Sequence, residues 1–576
     1  MNATRWARAG VLLAVGALSA CTLPMTARHT NRRSLQALSQ SGRALDAVRA
    51  ETARRRKAVR ALQAEMAELA VRQAALAREM EASRGEVSQV VPPAPWGQTR
   101  SRTDHVFAMV VSRARVLAAQ RYQAPAAIPS VLTKLSYVDY GRIGFPGRLP
   151  AWPKGTPFHV SLAPVGYLFA WPVHIHVVSG SRIVLAQLPA VVNGDPQLAR
   201  RLPASVPTAG FSVYSHAANT PLVDEFLSFL GASYFRGVGL GEAWGSSARG
   251  IAVDTALPHR AEEFPYFRGY WIIAPGRHAQ HLGFCALLDS PALTGAYRFI
   301  VHPGASTTVD VKAVLFLRRN VRRLGVAPLT SMFLQGRFSN HRYDRLIRSA
   351  HDSDGLLIDG GTGPKEWRPL RNPRRLAVSR FPINDPRGFG LMQRPRRAQD
   401  YRALGMDYEN RPSVWVMPKG KWGSGHLLLI ELPTNSQTND NITAFWVPGV
   451  KAHSGQPLVF SYRITWTGRA PLGAKFGFVS ATRYSYDARR HRETFVVDFR
   501  GKRLADPALS AVEPEVRVSG RARVTNAWVT RTGTPGHWRL QFDVARTGPG
   551  PVHIRAALAA KGKQITETWL DVFPLR

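Results

Sequence analysis

Apolar and polar residues alternate in many short stretches of this chain, and the alternation predicts β-strands. In LVFSYRITW (458–466) a large apolar side chain occupies every second position, and WRLQFDV (538–544) repeats the pattern. A period of two places alternate side chains on opposite faces of a strand. Such runs recur over hundreds of residues between turns rich in Gly and Pro, so we predict antiparallel sheets packed as sandwiches. The chain after residue 467 is predicted to form a separate β-domain of about immunoglobulin size, with GRAPLGAKFG (468–477) as the connector.

Residues 31–90 have a different pattern, without proline and with apolar side chains seven residues apart. The first series is Val59, Met66 and Met80, in which the polar Gln73 occupies the position between the two methionines. The second is Leu62, Leu69 and Leu76. This spacing predicts a coiled coil or helical hairpin that acts as a spacer or joins copies of the chain. A lone amphipathic helix with a solvated Arg face is the alternative. The linker VVPPAPWG (90–97) ends the segment, and a shorter helix is predicted over 103–120.

The N-terminus predicts export. Arg5 and Arg8 precede the apolar run VLLAVGALSA (11–20), which is too short to span a bilayer and is typical of a secretory signal. The run ends in Leu-Ser-Ala-Cys, which resembles the bacterial lipoprotein box and predicts lipidation of Cys21. A cleaved signal followed by an incidental Cys21 is the alternative. The other cysteine, Cys285, lies in the apolar run GFCALLD and is predicted to be a buried hydrophobic residue.

Length and charge limit the possible functions. The 576 residues require more than one domain, and 77 Lys plus Arg against 38 acidic residues give a net charge of +39. This excess would attract nucleic acid, anionic lipid or an acidic polysaccharide. We predict no nucleic-acid partner, because the charge is spread along the chain and no nucleic-acid motif occurs. An acidic working environment, or an Arg-rich composition without functional meaning, explains the charge equally well.

Few short motifs in the sequence indicate a particular reaction, metal or cofactor. GVGLGEAWG (237–245) lacks the Lys-Ser/Thr of a phosphate loop, and His174 and His176 have no third metal ligand nearby in sequence. We therefore predict neither a metal nor a cofactor. The acids of HDSDG (351–355), and Asp440 in ELPTNSQTNDNITAFW (431–446), are either catalytic carboxylates or residues of polar turns. The aromatic and Arg residues of EWRPLRNP (366–373) suit stacking on sugars or packing in a core.

A series of long motifs resembles one bacterial family. In chain order they are LGASYFRGVG, SARGIAVDTALP, EEFPYFRGYWI, LLDSPALTGAYRF, LGVAPLTSMFL, HDSDGL, EWRPLRNPRRLAVS, GFGLMQR, RPSVWVMPKGKWGSG and ELPTNSQTNDNITAFW. These motifs are similar to those of the osmoregulated periplasmic glucan biosynthesis proteins, types G and D, from about residue 105 onward. The sequence does not decide between the two types.

The resemblance implies an all-β fold: a large galactose-mutarotase-like β-sandwich, then an immunoglobulin-like β-sandwich. We therefore expect a signal peptide over 1–20, a lipidated helical spacer and linker over 21–97, a glucan-binding and catalytic sandwich over 98–467, and the immunoglobulin-like domain over 468–576. The family acts in the periplasm on β-1,2-linked glucan, so a periplasmic protein anchored to a membrane by its lipid is expected.

The resemblance also implies roles for individual residues. Asp440 of the TNDN motif takes the position of the family's general acid and Asp352 of the HDS motif that of its base, with Asp354 as the nearest competitor for the base. A carboxyl among neutral amides would keep the proton that a general acid needs more easily than one beside Arg. The residues expected to bind glucan are Glu431, Asn439, Asn441, Trp367, Arg368 and Trp446.

Two functions follow from this resemblance. The first is an anomer-inverting β-1,2-glucanase that trims glucan chains during their synthesis. The second is a carbohydrate-binding factor without turnover that holds nascent glucan and assists the membrane synthase. The presence of both acids favours the first, whereas NHRYDRLIRSAHDSDG (340–355), which is longer and more basic than the family's version, favours the second.

Overall fold

The computed structural model describes residues 88–90, 101–216, 223–339, 343, 346–403, 405–468, 476–487, 489, 492–507, 509 and 511–573. The signal peptide, Cys21 and the coiled coil up to residue 87 lie outside these residues and stay predictions. Residues 88–90, at the end of the segment predicted to be helical, form a strand that pairs with residues 182–184.

Strands dominate the described chain, which confirms the all-β prediction. The strands of the first part are β1 (Ser88–Val90), β2 (Ile143–Gly144), β3 (Phe158–Pro164), β4 (His174–Ser179), β5 (Arg182–Leu185), β6 (Val191–Val192), β7 (Thr208–His216), β8 (Val223–Leu230), β9 (Tyr234–Gly237), β10 (Ser247–Arg249), β11 (Ile251–Val253), β12 (Tyr266–Ile273), β13 (Leu282–Asp289), β14 (Leu293–His302), β15 (Thr307–Leu317), β16 (Leu324–Ser331) and β17 (Phe333–Gln335).

The second part of the chain continues this pattern. Its strands are β18 (Ala350–His351), β19 (Gly355–Asp359), β20 (Glu366–Pro369), β21 (Ala377–Asn384), β22 (Gly388–Met392), β23 (Ser413–Pro418), β24 (Ser424–Glu431), β25 (Ile442–Pro448), β26 (Leu458–Thr467), β27 (Phe478–Asp487), β28 (Arg492–Arg500), β29 (Val512–Ser519), β30 (Ala522–Arg531), β31 (His537–Arg546), β32 (Val552–Ala560), β33 (Lys563–Gln564) and β34 (Thr568–Phe573). The helices are α1 (Arg102–Ala118), α2 (Ser130–Thr133), α3 (Tyr137–Tyr140), α4 (Pro196–Arg201), α5 (Ala398–Tyr401) and the 3₁₀ turns Tyr408–Asn410 and Lys502–Ala505.

One compact unit contains the described residues 135–148 and 188–206. Its strands β2 and β6 pair antiparallel, and its helices are α3 and α4. Asp195 caps α4 by accepting a hydrogen bond from Leu198 N at 2.9 Å, and Arg142 lies 2.8 Å from the same carboxylate. This ion pair joins the two segments of the unit.

The other unit contains two large sheets. The sixteen-stranded sheet has the order β1-β5-β4-β12-β13-β14-β15-β26-β23-β22-β19-β20-β34-β32-β29, with β33 on β32. The ten-stranded sheet has the order β21-β24-β25-β16-β10-β9-β8-β7-β3, with β11 on β16. Neighbouring strands are antiparallel as predicted, except that β4 runs parallel to β12 and β20 parallel to β34.

Aromatic side chains join the two sheets face to face. Phe211 and Phe229 project from the ten-stranded sheet, and Phe284 projects from the sixteen-stranded sheet. The ring of Phe284 lies edge-on, 5.5 Å from Phe211 and 5.2 Å from Phe229. Edge-to-face pairs of this kind fill the layer between packed sheets, so the two sheets form the predicted sandwich.

Helix α1 confirms the short helix predicted near residue 103. Ser101 caps it by accepting from Asp104 N, and its apolar side chains pack with Cys285 and other residues of the sixteen-stranded sheet. Cys285 is buried, as predicted, and burial raises the pKa of its thiol.

A second sandwich lies at the C-terminal end of the chain. The four-stranded sheet β27-β28-β31-β30 packs against the sixteen-stranded sheet, with Phe495 and Phe542 at 5.6 and 5.9 Å from Trp569 of β34. In β31 the apolar residues at every second position are buried, as the alternation predicted. The domain boundary at residues 467 and 468 and the immunoglobulin-like topology stay predictions.

Candidate active site

Asp352 lies in a short turn between β18 and β19. The turn is held at its start, because β18 pairs with β17 through Phe333 and His351, and Asp352 N donates to Met332 O at 2.9 Å. The buried His351 ring has its Nδ1 2.8 Å from Gln393 Oε1, and burial lowers the pKa of His351 to about 4. A neutral histidine therefore anchors the strand that presents Asp352.

The carboxyl of Asp352 is only 5% exposed and forms an ion pair with Arg411. Burial raises the pKa of Asp352, the Arg411 charge lowers it and the charge of Asp440 raises it further. The Arg411 guanidinium in turn lies 4.2 Å from the centre of the Tyr408 ring. Asp352 is thus a buried carboxyl on which both an arginine and the other candidate acid act.

Asp354 occupies a different environment from Asp352. Its Oδ1 accepts from Arg394 N at 2.8 Å, and burial raises the pKa of Asp354 to about 6. The charges that act on it include those of Arg394 and Arg396, whereas Asp440 acts on Asp352. Of the two competitors for the base, Asp352 is the one coupled to Asp440.

Asp440 is the penultimate residue of the loop 432–441, which joins β24 to β25. Its side chain is 32% exposed, and its Oδ2 lies 3.3 Å from Arg236 Nη2. The expected setting of neutral amides is therefore wrong in this respect, because a charged guanidinium lies beside the carboxyl. Arg236 belongs to β9, far away in the sequence, so the local motif could not reveal it.

Side chains inside the loop bond to one another and to the surrounding structure. Asn439 is exposed next to Asp440, and its Nδ2 lies 3.3 Å from Thr434 Oγ1. Tyr408 donates its hydroxyl to Gln437 Oε1 at 2.8 Å. The Arg411 guanidinium, which pairs with Asp352, also lies over the Tyr408 ring. Tyr408 therefore connects Arg411 with the loop that contains Asp440.

Asn441 and Glu431, at the two ends of the Asp440 loop, are buried and bonded to protein. Asn441 Oδ1 accepts from Phe333 N at 2.8 Å, and its Nδ2 donates to Phe333 O and Leu432 O. Glu431 accepts from Arg368 Nη2 at 3.0 Å and from Arg371 N at 2.7 Å. In the described structure these side chains therefore hold the loop.

Arg368, Trp367 and Trp446 are also buried. Arg368 lies between Glu431 and Asp571 in a buried charge network. Trp367 belongs to the core of the C-terminal sandwich, and Trp446 is fully covered in β25. Among the six residues expected to bind glucan, Asn439 is thus the one with an exposed side chain beside Asp440. Direct contact of the other five with glucan stays a prediction.

An aromatic surface that the motifs did not single out lies on the Asp440 side of the site. Tyr234 and Arg236 are two residues apart on β9, so their side chains point to the same face. The Arg249 guanidinium lies 4.8 Å from the Tyr234 ring and 5.6 Å from the Phe264 ring, and Phe264 is 45% exposed. Exposed rings in such a setting suit stacking on sugars. Tyr408, Arg411 and Phe264 all occur in or beside the recognised motifs, but only folding brings Arg411 to Asp352 and Phe264 to Arg249.

Neither a metal-binding cluster nor a helix suited to span a membrane is found among the described residues. No cluster of three or more His, Cys, Asp or Glu side chains there is arranged to hold a metal ion. His176 instead stacks on Trp271 at 5.1 Å, with Nδ1 3.2 Å from Tyr270 O. In the same part of the chain, no helix combines the length and the apolar character needed to cross a bilayer.

Comparison with known proteins gives one consistent family. The family model described as "Periplasmic glucan biosynthesis protein, MdoG" matches residues 105–573. Glucans biosynthesis protein G of Ralstonia nicotianae is 40% identical over 481 residues, which cover 81% of this chain and 95% of that protein. Glucans biosynthesis protein D 1 of the same organism is 41% identical over 484 residues, or 79% of this chain and 89% of that protein. Relatives of both types thus match almost equally well.

Comparison with solved structures does not help to identify the family. A chondroitinase AC lyase gives a TM-score of 0.18 at 9% identity, covering 51% of this chain and 38% of that one, which is too low to support an argument. The family model, by contrast, covers most of the chain, including both carboxylates and, apart from β1, every strand of the two large sheets. The chain belongs to the MdoG family of periplasmic glucan biosynthesis proteins.

Proposed function

We propose that this protein hydrolyses β-1,2-linked glucan with inversion at the anomeric carbon, and so trims glucan chains during their synthesis. Asp440 acts as the general acid that protonates the glycosidic oxygen, and Asp352 as the general base that activates water. Inverting hydrolysis requires two carboxyl groups with room for a water molecule between one of them and the sugar.

The observation that carries the proposal is that the segments of the two acids are bonded to consecutive residues. Asp352 N donates to Met332 O at 2.9 Å, and Asn441, the neighbour of Asp440, bonds both main-chain polar groups of Phe333. The family resemblance gives the acid role to Asp440 and the base role to Asp352, and the two carboxyls differ in exposure, since Asp440 is exposed and Asp352 is buried. Asp440, as the exposed member, is the one that a glycosidic oxygen can reach.

The Arg236 ion pair does not prevent Asp440 from acting as an acid. Both partners are substantially exposed, with 41% of the Arg236 side chain and 32% of the Asp440 side chain accessible. Solvent-exposed pairs of this kind contribute only about 0–1 kcal/mol. A glucan chain that enters the site can therefore separate the pair.

Asp352 requires a path for the proton it withdraws from water. It is nearly fully buried and already bonded to Arg411, so it acts on the water directly at its narrow exposed edge or through hydrogen-bonded groups around it. The raised pKa of Asp352 makes it a stronger base than an ordinary aspartate once it is ionised.

A second candidate function is a glucan-holding factor without turnover, which assists the membrane synthase. The observation that favours it is that each carboxylate has an arginine partner, Arg236 for Asp440 and Arg411 for Asp352. Two stable ion pairs would leave neither a protonated acid nor a free base. The surface of Tyr234, Arg249 and Phe264 would serve both functions, since each requires glucan to be held.

The remaining parts of the chain extend the proposal. Lipidation at Cys21 would anchor the protein to a membrane of the periplasm, and the segment 31–87 would space the sandwiches from that membrane or join copies of the chain. The catalytic sandwich would span 98–467 and an immunoglobulin-like domain 468–576. No cofactor is needed, because two carboxyl groups suffice for this hydrolysis.

The test is the release of reducing ends from purified linear β-1,2-glucan, with the full chain compared with its Asp440→Asn variant. We expect turnover in the parent and a loss of at least about 100-fold in the variant. Glucan binding, followed by calorimetry, should be retained, because Asn keeps the shape of Asp. Absence of turnover in the parent, with binding intact, would reject the hydrolase and leave the glucan-holding factor.

A further inference from the structure

We propose that Asn441 and Asn372 are positioning residues that set the distance between the two carboxyl groups, and that they do so through a single short strand, β17. The inference rests on the proposed hydrolase and goes beyond it, since it assigns to Asn441 a role other than contact with glucan.

The geometry starts at two consecutive residues, Met332 and Phe333. Met332 O accepts from the backbone N–H of Asp352 at 2.9 Å. Phe333 uses both of its main-chain polar groups on the side chain of Asn441: its N–H donates to Oδ1 at 2.8 Å, and its carbonyl accepts from Nδ2 at 3.1 Å. The single peptide group between Met332 and Phe333 therefore bonds Asp352 through its carbonyl and the neighbour of Asp440 through its N–H.

Asn372 holds the other end of the same loop to the same strand. Its Nδ2 donates to Leu334 O at 3.0 Å and to Thr434 O at 2.8 Å, while its Oδ1 accepts from Thr434 N at 3.0 Å. Leu334 follows Phe333 in β17. The loop 432–441 is thus attached to β17 at both of its ends, through asparagine side chains.

The bonding of Asn441 indicates positioning and not substrate contact. Both Nδ2 hydrogens are donated, to Phe333 O and to Leu432 O at 2.9 Å, and the side chain is 3% exposed. An amide group has two donors, and both are used inside the protein. The group is therefore poorly placed to bind a sugar hydroxyl, and well placed to fix the backbone next to Asp440.

A change in this attachment affects catalysis more than binding. A general acid must lie within hydrogen-bond reach of the leaving oxygen, and a displacement of about 1 Å costs on the order of 100-fold in rate. The loss should depend on the leaving group. A sugar hydroxyl needs the proton from Asp440 as the C1–O bond breaks, whereas a nitrophenolate leaves without it and takes a proton from solvent afterwards.

The experiment compares kcat on two substrates, linear β-1,2-glucan and a β-1,2-gluco-oligosaccharide with a nitrophenyl group at its reducing end. The variants are Asn441→Asp, which keeps the acceptor for Phe333 N–H but loses both donors, and Asn372→Ala, whose side chain is less buried. Asn526→Ala is the matched control, because it removes an asparagine bond to Asp543 in the C-terminal sheet. Thermal unfolding checks that each variant is folded.

We expect both positioning variants to lose at least about 10-fold in kcat on glucan, to change less than about 3-fold on the nitrophenyl substrate, and to keep KM. Asn526→Ala should leave both rates unchanged. Equal losses on the two substrates, or a change in KM alone, would overturn the positioning role while the hydrolase stands. A parent protein without turnover on either substrate would overturn the proposed function itself, and the inference with it.

Discussion

The Arg236 guanidinium lies 3.3 Å from the carboxylate of Asp440. Arg236 belongs to β9, which is far from the TNDN motif in the sequence. This pair gives the proposed acid a charged partner in the absence of glucan.

Replacing Arg236 by Gln should lower the free energy of unfolding by no more than about 1 kcal/mol, because both partners of the Arg236–Asp440 pair are substantially exposed. Urea unfolding of the variant and the parent measures this. Arg483→Gln, which removes one partner of Asp498 in the C-terminal sheet, serves as control. A much larger loss in the Arg236 variant would mean that the pair is part of the framework of the site.

Asp352→Asn and Asp354→Asn should differ strongly in activity, although the residues are two apart. Asp352 is coupled to Asp440, whereas Asp354 accepts from Arg394 N, a bond that Asn can also accept. We expect Asp352→Asn to lose at least about 100-fold in kcat and Asp354→Asn to stay within about 3-fold. Reducing-end assays at one pH suffice. The reverse order of activities would assign the base to Asp354.

The stability of the protein should depend on pH through Asp354. Its pKa rises from 3.8 to about 6 on folding, so the protonated form is favoured in the folded state. The resulting stabilisation is complete below the unfolded value of 3.8 and is lost as the pH rises through about 6. The difference in free energy of unfolding between Asp354→Asn and the parent should therefore be about 2 kcal/mol more favourable to the variant at pH 8 than at pH 4. Urea unfolding at the two pH values measures this, and a gain that is equal at both pH values would contradict it.

Glu431→Gln should weaken the fold much more than it weakens glucan binding by the folded protein. The change leaves Arg368, which is 2% exposed, without the full negative charge that Glu431 supplies. Removing one partner of a buried pair typically costs about 3–5 kcal/mol. Denaturant unfolding gives the stability, and calorimetry at low temperature gives the affinity. If binding were lost in a protein of normal stability, Glu431 would contact glucan after all.

Phe264→Ala should raise the dissociation constant for glucan about 5- to 20-fold. The Phe264 ring is 45% exposed beside Arg249, and a stacked sugar ring would lose about 1–2 kcal/mol with it. Trp528→Ala, which removes an aromatic side chain of similar exposure from the C-terminal sheet, is the control. Equal effects of the two substitutions, or none, would place the glucan elsewhere.

Local pattern in the sequence determined much of this protein. The alternation in β26 and β31 and the apolar stripe of α1 are short-range properties, so they predicted the strands, the helix and the all-β class. Long motifs identified the family, and they indicated Asp352 and Asp440 as the candidate acids. Period and motif are both written in consecutive residues, which is why the sequence alone was enough for these conclusions.

Only the tertiary structure decided what surrounds those two acids. It put Arg236 beside Asp440 and Arg411 beside Asp352, and it buried Glu431 in a charge network with Arg368. It also joined the two acid segments through the consecutive residues Met332 and Phe333. Each of these contacts links residues that lie far apart in the chain, and the charge and burial of a carboxyl depend on such neighbours and not on its motif.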